Sequence, residues 1–251
     1  MQTDQMTVSL RESRLVLERL MQVIRIDEGL VPMLRDCALY SAALGLSGFK
    51  NLTSHLGLLQ GQRIKPLSLK REVGTSDAAA HVDCGGQHAW VVAPTLVDLA
   101  VDALTAADRP AVFIVEGVTQ PHELHVCQAL GEAHELEADV SEHNAAWRVA
   151  FRRATDTNRE TTLERIISKG LPVERTLWWQ LFHRANDALA PDSYESRRHA
   201  GPIIVDAEGH VIGRTDEDET DLSLLYTGAT PLAETSAAAP SSSQESKENS
   251  C

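Results

Sequence analysis

Long apolar runs are missing from this chain. No uninterrupted stretch approaches the roughly 18 apolar residues of a membrane span, and the start lacks a basic-then-apolar signal pattern. No membrane partner and a cytoplasmic location are therefore expected. Cysteine is scarce. Cys37, Cys84, Cys127 and Cys251 lie far apart and never form a CxxC pair, which argues against a disulfide framework and against a zinc ribbon. Positive charge is in deficit, with a formal net charge of −13, and aromatics make up only 4% of the residues. Without a basic stripe and interleaved aromatics, nucleic acid is not an expected partner. Gly85-Gly86 is not a GxGxxG loop, and neither GxxxxGK[ST] nor a GxSxG nucleophile elbow occurs.

What is present is enough for a folded body. The 251 residues are 43% hydrophobic, sufficient to bury a substantial core. The negative charge is uneven, because eight acids and a single base (Lys247) fall within residues 216–251. Beyond about Leu225, a segment rich in Ala, Ser, Glu and Thr has almost no apolar side chains to bury, so a disordered acidic tail is expected there.

Periodicity divides the rest. Ser9 with Glu12 forms a capping-box pattern opening a helix through about Ile24, and Pro32 suits the first turn of a second helix. A third short helix is expected over 51–59. The middle changes character. Residues 79–83 look like a strand, Cys84-Gly85-Gly86 a turn, and Pro94 the start of a helix. AVFIV at 111–115 has the continuous apolar character of a strand buried on both faces, completing one βαβ unit. A helix is expected over 122–135 and a half-buried strand over 145–151. Thr157 with Glu160 reads as a second capping box, for a helix ending at Lys169 and Gly170. From Val173, the residues Leu177, Trp178, Leu181, Phe182, Ala185 and Leu189 recur at one-face helical spacing until Pro191 stops them. Residues 202–205 and 210–213 flank Asp206-Ala207-Glu208-Gly209, and a hairpin is expected there. The expected fold is α/β or α+β: a helical N-terminal layer (1–60), an α/β body (61–221) with a small mixed sheet and one βαβ unit, and a disordered tail (222–251).

Chemistry-bearing residues gather in three places. His81, Asp83 and His88 straddle the glycine turn, and His122 and His125 sit three residues apart, close enough to share one helix face and a metal ion. A metal-dependent hydrolase or lyase using His81, Asp83, His122 and His125 is one reading, although no HExxH motif and no fourth ligand fix a metal site. A helix start near Val91 offers free N–H groups to an anion. The loop after Pro191 carries Ser193, Ser196 and Arg197, hydroxyls and a forked donor suited to a carboxylate or phosphate, with Glu195 as an internal counter-charge.

Two resemblances follow from these residues. Ser54-His55, then HVDCGGQHAWVVAPTLVDLAVDAL, then AVFIVEGVTQPH resembles the N-terminal part of the malate/L-lactate dehydrogenase-type family of nicotinamide-dependent oxidoreductases. The resemblance implies NAD(P) as cofactor and matches His55 and His122 to the family's two motif histidines, the second of which acts at the substrate carbonyl. This chain reads SHL where the family reads SHG, and Pro121-His122 where it reads Asn-His. The second resemblance rests on Trp179, Leu181, Pro191, Ser193, Ser196, Arg197 and Gly201. It is to an uncharacterised proteobacterial family with a C-terminal PxSxxSR signature, and it implies no activity.

Together these suggest a small-molecule-handling protein. In the enzyme version, a diverged 2-hydroxy/2-oxo acid oxidoreductase, His55 and His122 are the catalytic candidates and Ser193, Ser196 and Arg197 grip a small carboxylate-bearing molecule. In the alternative, the same scaffold binds a small molecule without catalysis. The oligomeric state is not legible.

Overall fold

The computed structural model describes residues 4–61, 64–71, 79–106, 110–156, 158–189, 203–205 and 211–213. The fold is mixed α/β, as expected. The chain divides into two units, Met1–Ala190 and Pro191–Cys251. In the second, β8 (Ile203–Val205) and β9 (Val211–Gly213) pair antiparallel, the expected hairpin. The expected disordered tail lies outside the described residues.

The first unit opens with β1 (Gln5–Val8) and α1 (Leu10–Ile24). The Ser9 side chain accepts from the Glu12 backbone while Glu12 reaches back to the Ser9 backbone, the reciprocal box read from the sequence. Leu17, Leu20, Met21 and Ile24 form the buried stripe of α1. It packs on α2 (Val31–Ala43), which has Pro32 in its first turn, and on α3 (Leu52–Leu59).

A five-stranded sheet follows, in the order β2 (Ser68–Arg71), β3 (Ala80–Asp83), β4 (Ala111–Glu116), β6 (Ala146–Arg153), β5 (Leu136–His143). β3 and β4 are parallel neighbours joined by α4 (Ala89–Ala106), the expected βαβ unit, and the other pairings are antiparallel. α4 starts five residues before Pro94. The helix tolerates this proline because the Trp90 carbonyl it leaves unpaired accepts the Cys37 thiol at 3.4 Å. By length and composition α4 is apolar enough to cross a membrane, but half of it is buried between sheet and helices.

Three other expectations shift. Residues 122–135 are not one helix but a 3-10 turn (Pro121–Val126) and a short α5 (Cys127–Glu132), after which the chain enters β5. α6 (Thr162–Lys169) is capped by Thr161 with Glu164, four residues later than expected; Thr157 lies outside the described residues. Glu160 instead pairs with Lys169 at 3.0 Å. Val173 belongs to β7 (Leu171–Glu174), so α7 (Arg175–Ala185) begins after it. α7 buries Trp178, Leu181 and Ala185, but Leu189 beyond its end is half exposed.

β7 pairs antiparallel with β1, running from Gln5↔Glu174 to Val8↔Leu171, and so ties the chain start to the entry of α7. Gly170 makes this junction possible. It sits at φ 69° and ψ −170°, a region essentially reserved for glycine. An added Cβ would lie 2.5 Å from Thr7 Cγ2 and 2.7 Å from the Val8 carbonyl oxygen. Gly170→Ala is expected to destabilise the protein by about 3 kcal/mol through backbone strain plus overpacking. Urea unfolding reads this directly, and an unchanged midpoint would refute it.

Candidate functional site

Two places in the first unit concentrate polar chemistry. One is sealed in the core between α3, α4 and the 3-10 turn. His55 comes from α3, His88 precedes α4, Trp90 lies in its first turn and Glu123 is on the 3-10 turn. None of the four is more than 2% exposed. Ser47, in the bend before α3, is only partly buried.

The hydrogen bonds here run in one direction. The Trp90 backbone N–H donates to His88 Nδ1 at 3.1 Å. A neutral His88 therefore carries its proton on Nε2, which lies 3.0 Å from His55 Nδ1. His55 Nδ1 must then accept, leaving its proton on Nε2, 2.7 Å from the Ser47 hydroxyl oxygen. The Ser47 hydroxyl donates in turn to Glu123 Oε1. The Ser47 backbone N–H donates to the same oxygen at 3.2 Å, and the Trp90 indole N–H donates to Oε2 at 2.8 Å. The chain ends on a carboxylate, which can only accept when ionised.

The ionisation tendencies agree with this pattern. Burial lowers the pKa of His88 to about 4, helped by the neighbouring His55 and opposed by Glu123. Burial also lowers that of His55, against the pull of Glu123. For Glu123 burial alone would raise the pKa, but hydrogen bonds from Ser41, Ser47 and Trp90 help to outweigh it. The resting state is two neutral imidazoles and one carboxylate.

Ser47, His55 and His88 have the spacing of a nucleophile, a base and an orienting group. The proton placement is the reverse of what catalysis needs. A general base must offer Nε2 a lone pair for the serine proton, whereas His55 donates there and Ser47 gives its proton to Glu123. The group is built as a core tie.

The second place is a cleft of about 670 Å³ along β5, one of the two edge strands of the sheet. Consecutive residues Leu136 to Asp139 all line it, so it takes in both faces of that strand. Its opposite wall is helical, with Gln128, Glu132, Thr162 and Arg165. Four arginines and three acids line it, leaving positive charge in excess in a protein of net charge −13. Each acid is engaged: Asp139 with Arg148 at 3.1 Å, Glu137 with Arg152 at 2.6 Å, and Glu132 with the Thr162 backbone N–H at 2.6 Å. Arg165 donates to the Ala43 carbonyl at 3.5 Å, and Arg159 has no ionic or hydrogen-bonding partner among the described residues.

The sequence-derived candidates separate. His55 is within the sealed network. His122, exposed on the 3-10 turn, packs instead against Trp147 with ring centroids 5.0 Å apart. Ser193, Ser196 and Arg197 lie outside the described residues. Asp83 accepts from the Gly85 backbone N–H at 3.0 Å. No three His, Cys, Asp or Glu side chains converge to hold a metal ion among the described residues. The α4 start offers no free donors to an anion: Ala89 N–H donates to the Thr119 carbonyl, Trp90 N–H to His88, and Val91 and Val92 N–H to the His88 carbonyl. Sequence reasoning missed Ser47, Trp90 and Glu123, and also Arg159 and Arg165. Only Glu123 left a trace, as the acid between His122 and His125 in the sequence.

Comparison with known proteins adds little to this geometry. No family model matches the chain, and no curated protein matches it. Among solved structures it is similar to the crystal structure of malate dehydrogenase from Entamoeba histolytica, at 12% identity and a TM-score of 0.40, over 74% of this chain and 62% of that one. The chain thus spans less than two thirds of that enzyme's length, and a likeness this weak carries no argument about activity.

Proposed function

We propose that this protein binds a small acidic molecule, a carboxylate or phosphate compound, in the cleft along β5, and does so without catalysing a reaction on it. The observation that carries this reading is that Arg159, without an ionic or hydrogen-bonding partner among the described residues, lines with Arg165 a cleft whose acids are all engaged. Its volume falls within the range of small-molecule sites, about 300–1,000 Å³. Guanidinium forks suit planar oxyanions because two parallel N–H groups match two oxygens. The Ser47–His55–His88–Glu123 group supports the non-catalytic half, since its proton placement opposes general-base chemistry.

Calorimetric titration with succinate, citrate and inorganic phosphate tests the proposal. At least one is expected to bind, and Arg159→Ala and Arg165→Ala are each expected to weaken it about tenfold or more, the loss of a charge-assisted hydrogen bond. Wild-type affinity in both variants would move the site elsewhere. The oxidoreductase alternative rests on the sequence resemblance to the malate/L-lactate dehydrogenase-type family. Fluorescence titration with NADH and NADPH separates it, since saturable binding below high micromolar concentration favours hydride transfer and its absence removes that reading.

A further inference from the structure

The 3-10 turn from Pro121 to Val126 is six residues long, where such runs seldom exceed three or four. At three residues per turn, side chains three apart eclipse one another in columns. Two columns point into the core. Glu123 and Val126 form one, and Leu124 with Cys127, the residue after the turn, forms the other; all four are buried. The remaining column is His122 and His125, exposed and half-buried respectively. Both rings pack edge-to-face against one side chain, Trp147 of β6, with centroids at 5.0 and 6.1 Å. A single indole therefore contacts two imidazoles that share the same outward column.

We infer that His122 and His125 form a surface site for a borderline divalent transition-metal ion, of the copper(II) or zinc(II) class, with Trp147 beside it and water completing the coordination. Imidazole nitrogen is the ligand such ions prefer. A tetrahedral ion bound at about 2.0–2.1 Å from each nitrogen needs the two nitrogens roughly 3.3 Å apart, which eclipsed side chains reach by rotation about their own bonds. The buried neighbours Leu124 and Val126 hold the turn rigid, so both imidazoles are presented together. Two protein ligands leave open positions, so the site takes an exchangeable ion and is not a closed structural centre.

Trp147 makes the site readable. Copper(II) quenches a nearby indole, so titration of the full-length protein with copper(II) is expected to quench Trp147 saturably at one ion per chain. The Trp147→Phe variant isolates its share of the emission. His122→Gln and His125→Gln are each expected to raise the half-quenching concentration more than about tenfold, the loss seen when even an outer partner of a metal ligand is removed. Zinc(II), which does not quench, is expected to restore the emission by competition. Circular dichroism confirms that the variants fold, and His122→Gln, being at an exposed position, decides the matter if His125→Gln does not fold. Undiminished quenching in Trp147→Phe overturns the inference, as does a half-quenching concentration within about twofold of wild type in either folded histidine variant. The cleft proposal stands or falls separately, because none of these residues lines that cleft.

Discussion

Lowering the pH from 7 to 4 is expected to cost the fold about 3 kcal/mol through His88 alone, as its pKa falls from the ordinary 6.5 when unfolded to about 4 when buried. The sign follows from proton binding. Between the two values the unfolded chain holds a proton on this ring and the folded chain does not, so each added proton favours unfolding. The stability is fully present above pH 6.5 and is lost as the pH falls toward 4. His55 is shifted in the same direction. Glu123, whose pKa is also lowered, loses its stabilising charge over the acid range. All three act in one sense because they share one hydrogen-bond chain. Protonating His88 on Nδ1 would set N–H against the N–H of Trp90, and a protonated Glu123 could no longer accept from every donor aimed at it. Urea unfolding at pH 7, 5.5 and 4, followed by tryptophan fluorescence, measures the slope. Comparison with His88→Asn subtracts the surface carboxylates. A wild-type stability flat across this range, or a slope identical in His88→Asn, would refute the assignment.

Trp90→Ala is the substitution expected to do most damage, at about 3–5 kcal/mol for a large buried aromatic. Trp90 is fully buried, and its ring lies against both histidines, with centroids 4.6 Å from His55 and 5.1 Å from His88. Its indole N–H is also one of the donors to Glu123. Trp90→Phe separates the two contributions. It retains most of the packing and removes the hydrogen bond to a charged acceptor, which costs about 1.5–3 kcal/mol. The difference between the variants is then the packing share. Equal losses in both would show that the carboxylate contact alone carries the effect, and a negligible loss in Trp90→Phe would show that Glu123 does not depend on it.

Much of the fold was legible where one local rule operated without competition. The Ser9–Glu12 box, Pro32, Gly170 and the AVFIV strand each follow from short-range chemistry. The misplaced boundaries are those decided by distant partners. Pro94 reads as a helix start because a proline inside a helix orphans a carbonyl, and only the arrival of Cys37 from α2 makes the interior position tolerable. β5 was hidden because Leu136, Ala138 and Val140, though alternating as in a strand, follow directly on the stretch expected to be helical. Its pairing with β6 from Leu136↔Arg153 to His143↔Ala146 settles it as strand.

The candidate sites show the same division. The sequence by itself determined the mixed α/β class, the βαβ unit, the scarcity of paired cysteine and the three-residue spacing of His122 and His125, because each depends on residue type and local period. Tertiary structure alone decided which polar groups meet. Ser47, His55, His88 and Glu123 are up to 76 positions apart, and burial then removed the water that would otherwise have satisfied them separately. The same holds for Arg159: only folding shows that the acids of its cleft are already engaged while its own guanidinium has no partner among the described residues. A hydrogen bond between distant side chains leaves no periodic mark in a sequence, and so proton placement and ligand access become readable only in the folded chain.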